Sequence, residues 1–269
     1  MDRKAGGMTD SGHRAATADF SQRVAARFGN AAASYDAHSA AQRHAARRLG
    51  ERIAALGLPP RPRVLEIGCG TGHLTEQLAT RLAGATILAT DIAPAMVDAC
   101  RARLGAHSRL AFAAMDGTDP AVPGCFDLIC GNLVAQWFAD LPAACARLAG
   151  LLAPGGALLL SLPGGETFRE WRAAHARLGL PAGTYPLPTP AACRAAQPMH
   201  GDGRVEVEHW IDRPADGLAF LRGLRAIGAD TPAPGHAPLS PARLRRVLRE
   251  LGPAPTLTYE LIFMLHRAG

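Results

Sequence analysis

Apolar residues in this chain fall into two kinds of stretch: short, nearly continuous runs, and longer segments in which they recur every three or four positions. The runs at 63–68, 86–90, 110–115, 126–130 and 157–162 are bounded by Gly, Pro, Asp or Asn, the pattern of strands buried on both faces. Segments 71–83, 94–104 and 140–151 lie between them with helical spacing, and Pro94 takes a favoured first-turn position. This alternation predicts an α/β fold with a doubly wound, mostly parallel sheet and helices on both faces.

The flanks read differently. Residues 1–18 are polar, small and glycine-containing, which predicts a disordered tail. From Asp19 the pattern turns helical, with Phe20, Val24 and Phe28 at i, i+4 and i+8, and a second helical run spans 39–56 before Pro59 and Pro60. Beyond Leu162 come a helix over 166–178, a proline-rich loop and a short helix starting at Thr189-Pro190 and ending near 196. Val205, Val207, His209 and Ile211 then alternate onto one face and predict a sixth strand over 203–212. An amphipathic helix over 214–228 places Leu218, Leu221, Leu224 and Ile227 on one side and Arg222 and Arg225 elsewhere. Ser240 as N-cap and Pro241 at the first helical position open a helix to 251, and 256–266 is a seventh strand.

Composition narrows the class. The 269 residues suffice for one α/β domain with a cap, and the 48% apolar content supplies its core. Of 29 basic residues only Lys4 is a lysine, and the formal charge of +6 is compatible with an acidic partner. No dense Lys/Arg tail points to nucleic acid. The six cysteines (69, 100, 125, 130, 145 and 193) form no CxxC pair and no zinc spacing, so no metal is expected and a reducing, cytoplasmic setting is. No apolar run is long enough to span a bilayer, so no membrane partner is expected.

The candidate chemistry begins at Glu66-Ile-Gly-Cys-Gly-Thr-Gly72. Gly68, Gly70 and Gly72 permit a tight turn and close approach of a ligand, and the helix that follows offers unpaired N–H groups. Asp91 ends the second strand 19 residues past Gly72, placed to accept hydrogen bonds from ribose hydroxyls. The third glycine comes one residue too early for a dinucleotide fingerprint, and acidic Glu66 suits a cationic ligand better than a phosphate. Ligands of open α/β sheets bind beyond the carboxyl ends of the strands. That gathers Gly68–Gly72, Asp91-Ile92, Asp116-Gly117 and Asn132–Trp137 into one site, with Asp116 either bonding an adenine amino group or capping a turn.

These residues resemble the class I S-adenosylmethionine-dependent methyltransferases, a Rossmann-like fold. The resemblance implies that S-adenosyl-L-methionine is held by Glu66, Gly68, Cys69, Gly70, Gly72, Asp91, Ile92, Met96, Asp116, Gly117, Asn132 and Leu133. It divides the chain after the tail into one domain, 19–269: an N-terminal helical cap (19–58), a cofactor-binding core (62–162), a substrate-side cap with strand six formed by a late helical insertion (163–255), and the last strand (256–267).

A closer resemblance is carried by four stretches: Phe28-Gly-x-Ala-Ala-x-x-Tyr35-x-x-His38 with Gln42, Gly131-Asn-Leu-Val-Ala-Gln136-Trp137, Leu221-Arg-Gly-Leu-Arg-Ala-Ile-Gly-Ala229, and Leu257-Thr-Tyr-Glu-Leu261. Together they are similar to the malonyl-acyl-carrier-protein O-methyltransferases of biotin synthesis. The implied reaction moves a methyl group to the free carboxylate of a malonyl thioester, carried by acyl carrier protein or coenzyme A. Such a carboxylate is already ionised at neutral pH, so no general base is required. Tyr35, His38, Gln42, Gln136 and Trp137 are the implied pocket, with Arg222 and Arg225 as carboxylate clamps, since an arginine fork binds carboxylate bidentately. Both arginines are equally read as solvated helix residues or as contacts for an acidic carrier protein, as are Arg243, Arg245, Arg246 and Arg249. One departure stands out: where the family commonly has a charged loop after its Ile-Gly-Ala segment, this chain has Asp230-Thr-Pro-Ala-Pro-Gly-His236. Two alternatives stay open. One is a methyltransferase for another small acid or a quinone precursor, using His38 or His209 as base; the other is a non-methylating assembly factor of the same fold.

Overall fold

The computed structural model describes residues 9–105, 107–233 and 235–269, without the side chains of residues 9–19. Seven strands form one sheet: β1 (Arg63–Ile67), β2 (Thr86–Asp91), β3 (Leu110–Ala114), β4 (Phe126–Asn132), β5 (Leu152–Pro163), β6 (Asp202–Asp212) and β7 (Leu257–Arg267). Their order is β3-β2-β1-β4-β5-β7-β6, with every pair parallel except the two made by β7. The chain reverses direction across the sheet between β1 and β4, which puts the β1, β2 and β4 carboxyl ends around one crevice.

Strand side chains alternate between two cores. On one face Val64, Ile87 and Leu128 pack with α2 (Ala40–Ala54) and α3 (His73–Arg81); on the other Leu65, Ile129 and Leu158 pack with α5 (Leu141–Ala149) and α7 (Pro190–Ala195). Helix α4 (Pro94–Leu104) packs along β2 and β3 through Cys100 and Leu104. A third cluster joins α6 (Arg169–Arg177), α8 (Gly217–Ala226) and α9 (Pro241–Leu251) through Trp171, Phe220 and Val247.

Two expectations change here. Residues 1–8 of the expected tail lie outside the described residues, but 9–18 form the first turns of α1 (Thr9–His38), which runs unbroken through Gly29. Strand β5 starts at Leu152 rather than 157, because Phe126 pairs with Leu152 across a bulge and extends the ladder through Pro154-Gly-Gly. On β6 the strand expected from the alternation forms: Val205 packs on the second core, Val207 and His209 are exposed, and Glu206, Glu208 and Trp210 face α2. β6 is an edge strand, and Arg48 and Arg52 of α2 pair with its glutamates, so ion pairs join the strand to the helix.

Candidate active site

The glycine turn after β1 is shaped for a ligand. Gly68 has φ +67° and packs so tightly that an added Cβ would lie 2.5 Å from Val134 Cγ2. At Gly70, φ is +54° and nothing lies within 4 Å of the position a Cβ would take, so its backbone faces open space. Asp91 ties this turn down: its Oδ2 accepts the Gly70 N–H at 2.9 Å and its Oδ1 the Ala93 N–H at 2.9 Å. Each carboxylate oxygen keeps a second lone pair for a hydroxyl. Burial raises the Asp91 pKa, and the backbone donors oppose the rise.

A cavity of about 90 Å³ opens beside the turn. Nine residues expected there do line it: Gly68, Gly70, Asp91, Ile92, Met96, Asp116, Gly117, Asn132 and Leu133. Three do not. Glu66 lies beneath, fully buried, with neither carboxylate oxygen hydrogen-bonded within the described residues. Burial first, then the nearby Cys100 and Asp91, push its pKa up to about 8, against the opposing pull of Thr75 beside it. Cys69 and Gly72 turn toward Cys100 of α4 instead. Of the two roles left open for Asp116 the structure shows the turn cap: its Oδ1 accepts from Thr118 N and Oγ1, at 2.8 and 2.7 Å, and the residue lines the cavity.

Helix α1 covers this cavity, contributing Ser21, Val24, Phe28 and Tyr35. Its end is fastened to the turn through Asp36, which accepts from Thr71 Oγ1 at 2.5 Å and pairs with Arg103 at 3.1 Å. His73 stands between them, its Nε2 2.8 Å from Ser39 Oγ and 3.4 Å from Asp36 Oδ1. Burial, then Arg103, lower its pKa to about 4, so it is neutral at pH 7 and the Asp36 approach is not an ion pair. Tyr35 stacks on His73 with centroids 6.3 Å apart. Burial, then the charges of Asp91 and Asp36, raise its phenol pKa, so the O–H remains a donor at all ordinary pH.

A second cavity, of about 270 Å³, adjoins the first. Tyr35, Gln42, Gln136 and Trp137 line it as expected, with Phe168, Trp171, Phe220, Leu224 and Tyr259 among its apolar and aromatic walls. Phe28, Tyr35, Leu133 and Trp137 border both cavities, so these four residues form the seam between them. Trp137 packs edge-on to Phe28 at 5.7 Å and against Tyr185 at 5.6 Å. Its indole N–H and the Gln42 and Gln136 side-chain carbonyls are buried without partners within the described residues.

Three expected substrate residues do not reach this cavity. His38 is exposed and bonds back to Ser34 O. Arg222 and Arg225 are exposed on the outer side of α8, because helical phase puts them opposite Phe220, Leu224 and Ile227, which face inward. Asp230 and His236 are the charged or basic side chains that do line it, Asp230 being clipped to Arg27 at 2.9 Å.

One supporting residue escaped the sequence reading. Ser161, fully buried on β5, accepts the Leu133 N–H at 3.0 Å and donates to Asn132 Oδ1 at 2.8 Å. Asn132 Nδ2 donates to Gln42 O at 3.1 Å, and Gln136 Nε2 donates to Leu133 O at 2.7 Å. These bonds hold Leu133 at φ 50°, a left-handed conformation costly for leucine, at the seam. A serine inside an apolar strand run gives no periodic signal; only its pairing opposite Asn132 reveals it.

Comparisons with known proteins bear on these cavities. Residues 65–158 match a family model described as a methyltransferase domain. The chain is 40% identical over 245 residues to a malonyl-[acyl-carrier protein] O-methyltransferase of Magnetococcus marinus, covering 90% of each. It is 50% identical over 228 residues to a biotin biosynthesis bifunctional protein BioCD of Bordetella avium; the match takes in 84% of this chain and 48% of that relative, about half its length. In structure it is similar to a phosphoethanolamine N-methyltransferase 2 of Haemonchus contortus, with TM-score 0.53 and 18% identity over 82% of this chain and 52% of the other.

Proposed function

The chain belongs to the malonyl-[acyl-carrier protein] O-methyltransferase family, and on that premise we propose that it transfers a methyl group from S-adenosyl-L-methionine to the free carboxylate of a malonyl thioester. The observation that carries this reading is the pair of cavities meeting at Phe28, Tyr35, Leu133 and Trp137. One holds the donor and the other the acceptor, and the reacting atoms meet at the seam.

The first cavity fits the donor. Open space at Gly70 admits it against the backbone, Asp91 has lone pairs for two hydroxyls, and Asp116 lines the same cavity. When bound there, S-adenosyl-L-methionine supplies a methyl group on a positively charged sulfur: a carboxylate oxygen forms the new C–O bond, the C–S bond breaks, and the sulfide leaves with no proton to move.

The protein's part is positioning and exclusion of water, which supplies on the order of 7–11 kcal/mol in favourable systems. In place of an arginine fork, neutral donors face the acceptor. Tyr35 and Tyr259 both line this cavity, and burial keeps the O–H of each protonated. A carboxylate held by such donors in an aromatic cavity keeps more of its negative charge for attack than one in an ion pair. The two bases named for the alternative acceptors, His38 and His209, are exposed and line neither cavity, and His236 is the histidine that lines the acceptor cavity among the described residues. The six cysteines, all free thiols, fit a reducing cytoplasm.

Mass spectrometry tests the reading directly. Purified protein with S-adenosyl-L-methionine is expected to add one CH₂ to malonyl-carrier protein. Donor binding without any mass gain on malonyl-carrier protein or malonyl-coenzyme A would overturn it.

A further inference from the structure

Most arginines of the cofactor side and of the sheet edge are spoken for. Arg48 and Arg52 pair with Glu206 and Glu208, Arg103 with Asp36 and Glu76, and Arg101 with Asp98. On the substrate side the pattern inverts. Helices α8 and α9 carry six arginines (222, 225, 243, 245, 246 and 249) against a single acid, Glu250, which is engaged by Arg177. All six arginines are exposed, and the side chains of Arg222 and Arg225 have no hydrogen bond or ion pair within the described residues. Leu218, 40% exposed, lies on the same outer face of α8 as these two, one and two turns before them. Gly217 packs against Leu248, so α9 abuts the start of α8.

We propose that this outer face of α8 and α9 docks the acidic surface of the carrier protein that presents the malonyl thioester. The inference rests on the proposed function and deepens it, because it gives the carrier protein a docking surface made of named residues of this chain. Three features support it. The inner face of the same helix, through Phe220, Leu224 and neighbouring Ile227, walls the acceptor cavity, so a protein held outside stands one helix from its own cargo. Unpaired guanidinium groups keep their full charge available for a complementary surface and for steering its approach. An exposed leucine beside them adds the apolar contact that a purely electrostatic site lacks.

The test compares two acceptors that share the malonyl unit and its arm and differ in the carrier protein. Arg222→Glu with Arg225→Glu is expected to raise KM for malonyl-carrier protein by about tenfold or more, the effect of reversing charges at a complementary rim. KM for malonyl-coenzyme A and the Kd of S-adenosyl-L-methionine stay within about twofold, since the cavity walls are untouched. Raising the salt concentration should erode the wild-type preference for the carrier protein in the same way. The milder pair Arg222→Ala and Arg225→Ala serves if the reversals do not fold. Equal losses with both acceptors would put these arginines on the phosphate of the shared arm, and no loss with either would leave the face unused; each result overturns the proposal. A shift of the enzyme alone from dimer to monomer on charge reversal overturns it too, in favour of a second copy. Calorimetric binding of the carrier protein keeps this inference separate from the proposed function. If the wild type methylates neither thioester, the function falls, and the docking face stands or falls on whether charge reversal removes that binding.

Discussion

Leu133 shows how much a single side chain elsewhere can decide. It holds a left-handed backbone at the seam of the two cavities, and Ser161 supplies the hydrogen bond that keeps it there. Ser161→Ala leaves the Leu133 N–H and Asn132 Oδ1 buried and unpaired, a cost of about 1–3 kcal/mol. The expected outcome is a melting temperature lower by roughly 2–10 °C. Methyl transfer should suffer separately: kcat is expected to fall about tenfold or more, because small misplacements of reacting groups are costly. The donor Kd should change by less than about threefold, since Asp91 and Gly70 are untouched. Stopped assays with calorimetry check the split, and a parallel loss of kcat and donor affinity would reduce Ser161 to a general structural residue. The contrast with the glycine turn explains what was legible at this scale. Gly68 and Gly70 announce themselves because left-handed backbone and close approach select glycine, whereas Ser161 acts through a cross-strand partner that no local spacing encodes. Arg222 and Arg225 were misassigned for a related reason: the periodicity gives two faces of a helix and not which one meets the cavity.

Among the elements, α1 is the one that changes the site. The apolar spacing of Phe20, Val24 and Phe28 foretold a helix, and the structure lays it over the cofactor cavity and against α4 and α8. The parallel strands and their crossover helices were legible because both faces are buried and the runs are continuous. The orientation of β6 was not, because an edge strand satisfies its inner face by ion pairs with α2 as readily as by apolar packing. Where α1 ends, it is held to the glycine turn mainly by Asp36, through Thr71 and Arg103. Those contacts are partly exposed, so they add little to global stability, but they hold a lid in place. Asp36→Ala is therefore expected to speed dissociation of S-adenosyl-L-methionine by about 3–10-fold, since changes at one site appear mostly in off-rates. The melting temperature of the free protein should fall by no more than about 2–4 °C. Stopped-flow dissociation checks this, and an unchanged off-rate would mean that α1 is held over the cavity by its apolar face alone.

Across the whole molecule, three strongly shifted groups set how stability follows pH. Glu208 is held down to about 2, first by its hydrogen bonds from Arg48 and then by those from Arg52, so its stabilisation is present above the ordinary carboxylate pKa of 4.5 and is lost as pH falls toward 2. His73, lowered to about 4 by burial, binds fewer protons folded than unfolded between pH 4 and 6.5, so stability rises with pH through that window. Glu66 has the opposite sign. Its folded pKa, raised to about 8 from 4.5, means that the folded protein binds the extra proton between those values, and stability falls as pH rises through them. The raised pKa of Asp91 acts in the same direction as Glu66. Between pH 4.5 and 6.5 the His73 and Glu66 contributions oppose one another. Above 6.5 the His73 slope, which His44, His175 and His266 share because burial lowers their pKa values too, fades as the unfolded imidazoles lose their protons, while the Glu66 slope persists. Glu66 is therefore expected to take about 1–2 kcal/mol from the stability of the free protein between pH 6.5 and 8. Glu66→Gln removes the titrating proton at nearly constant shape and should flatten that decline, whatever it does to stability at any one pH. Melting curves of both proteins across this range decide the matter: equal slopes would mean that the buried carboxyl beneath the glycine turn is not what makes the fold sensitive to base.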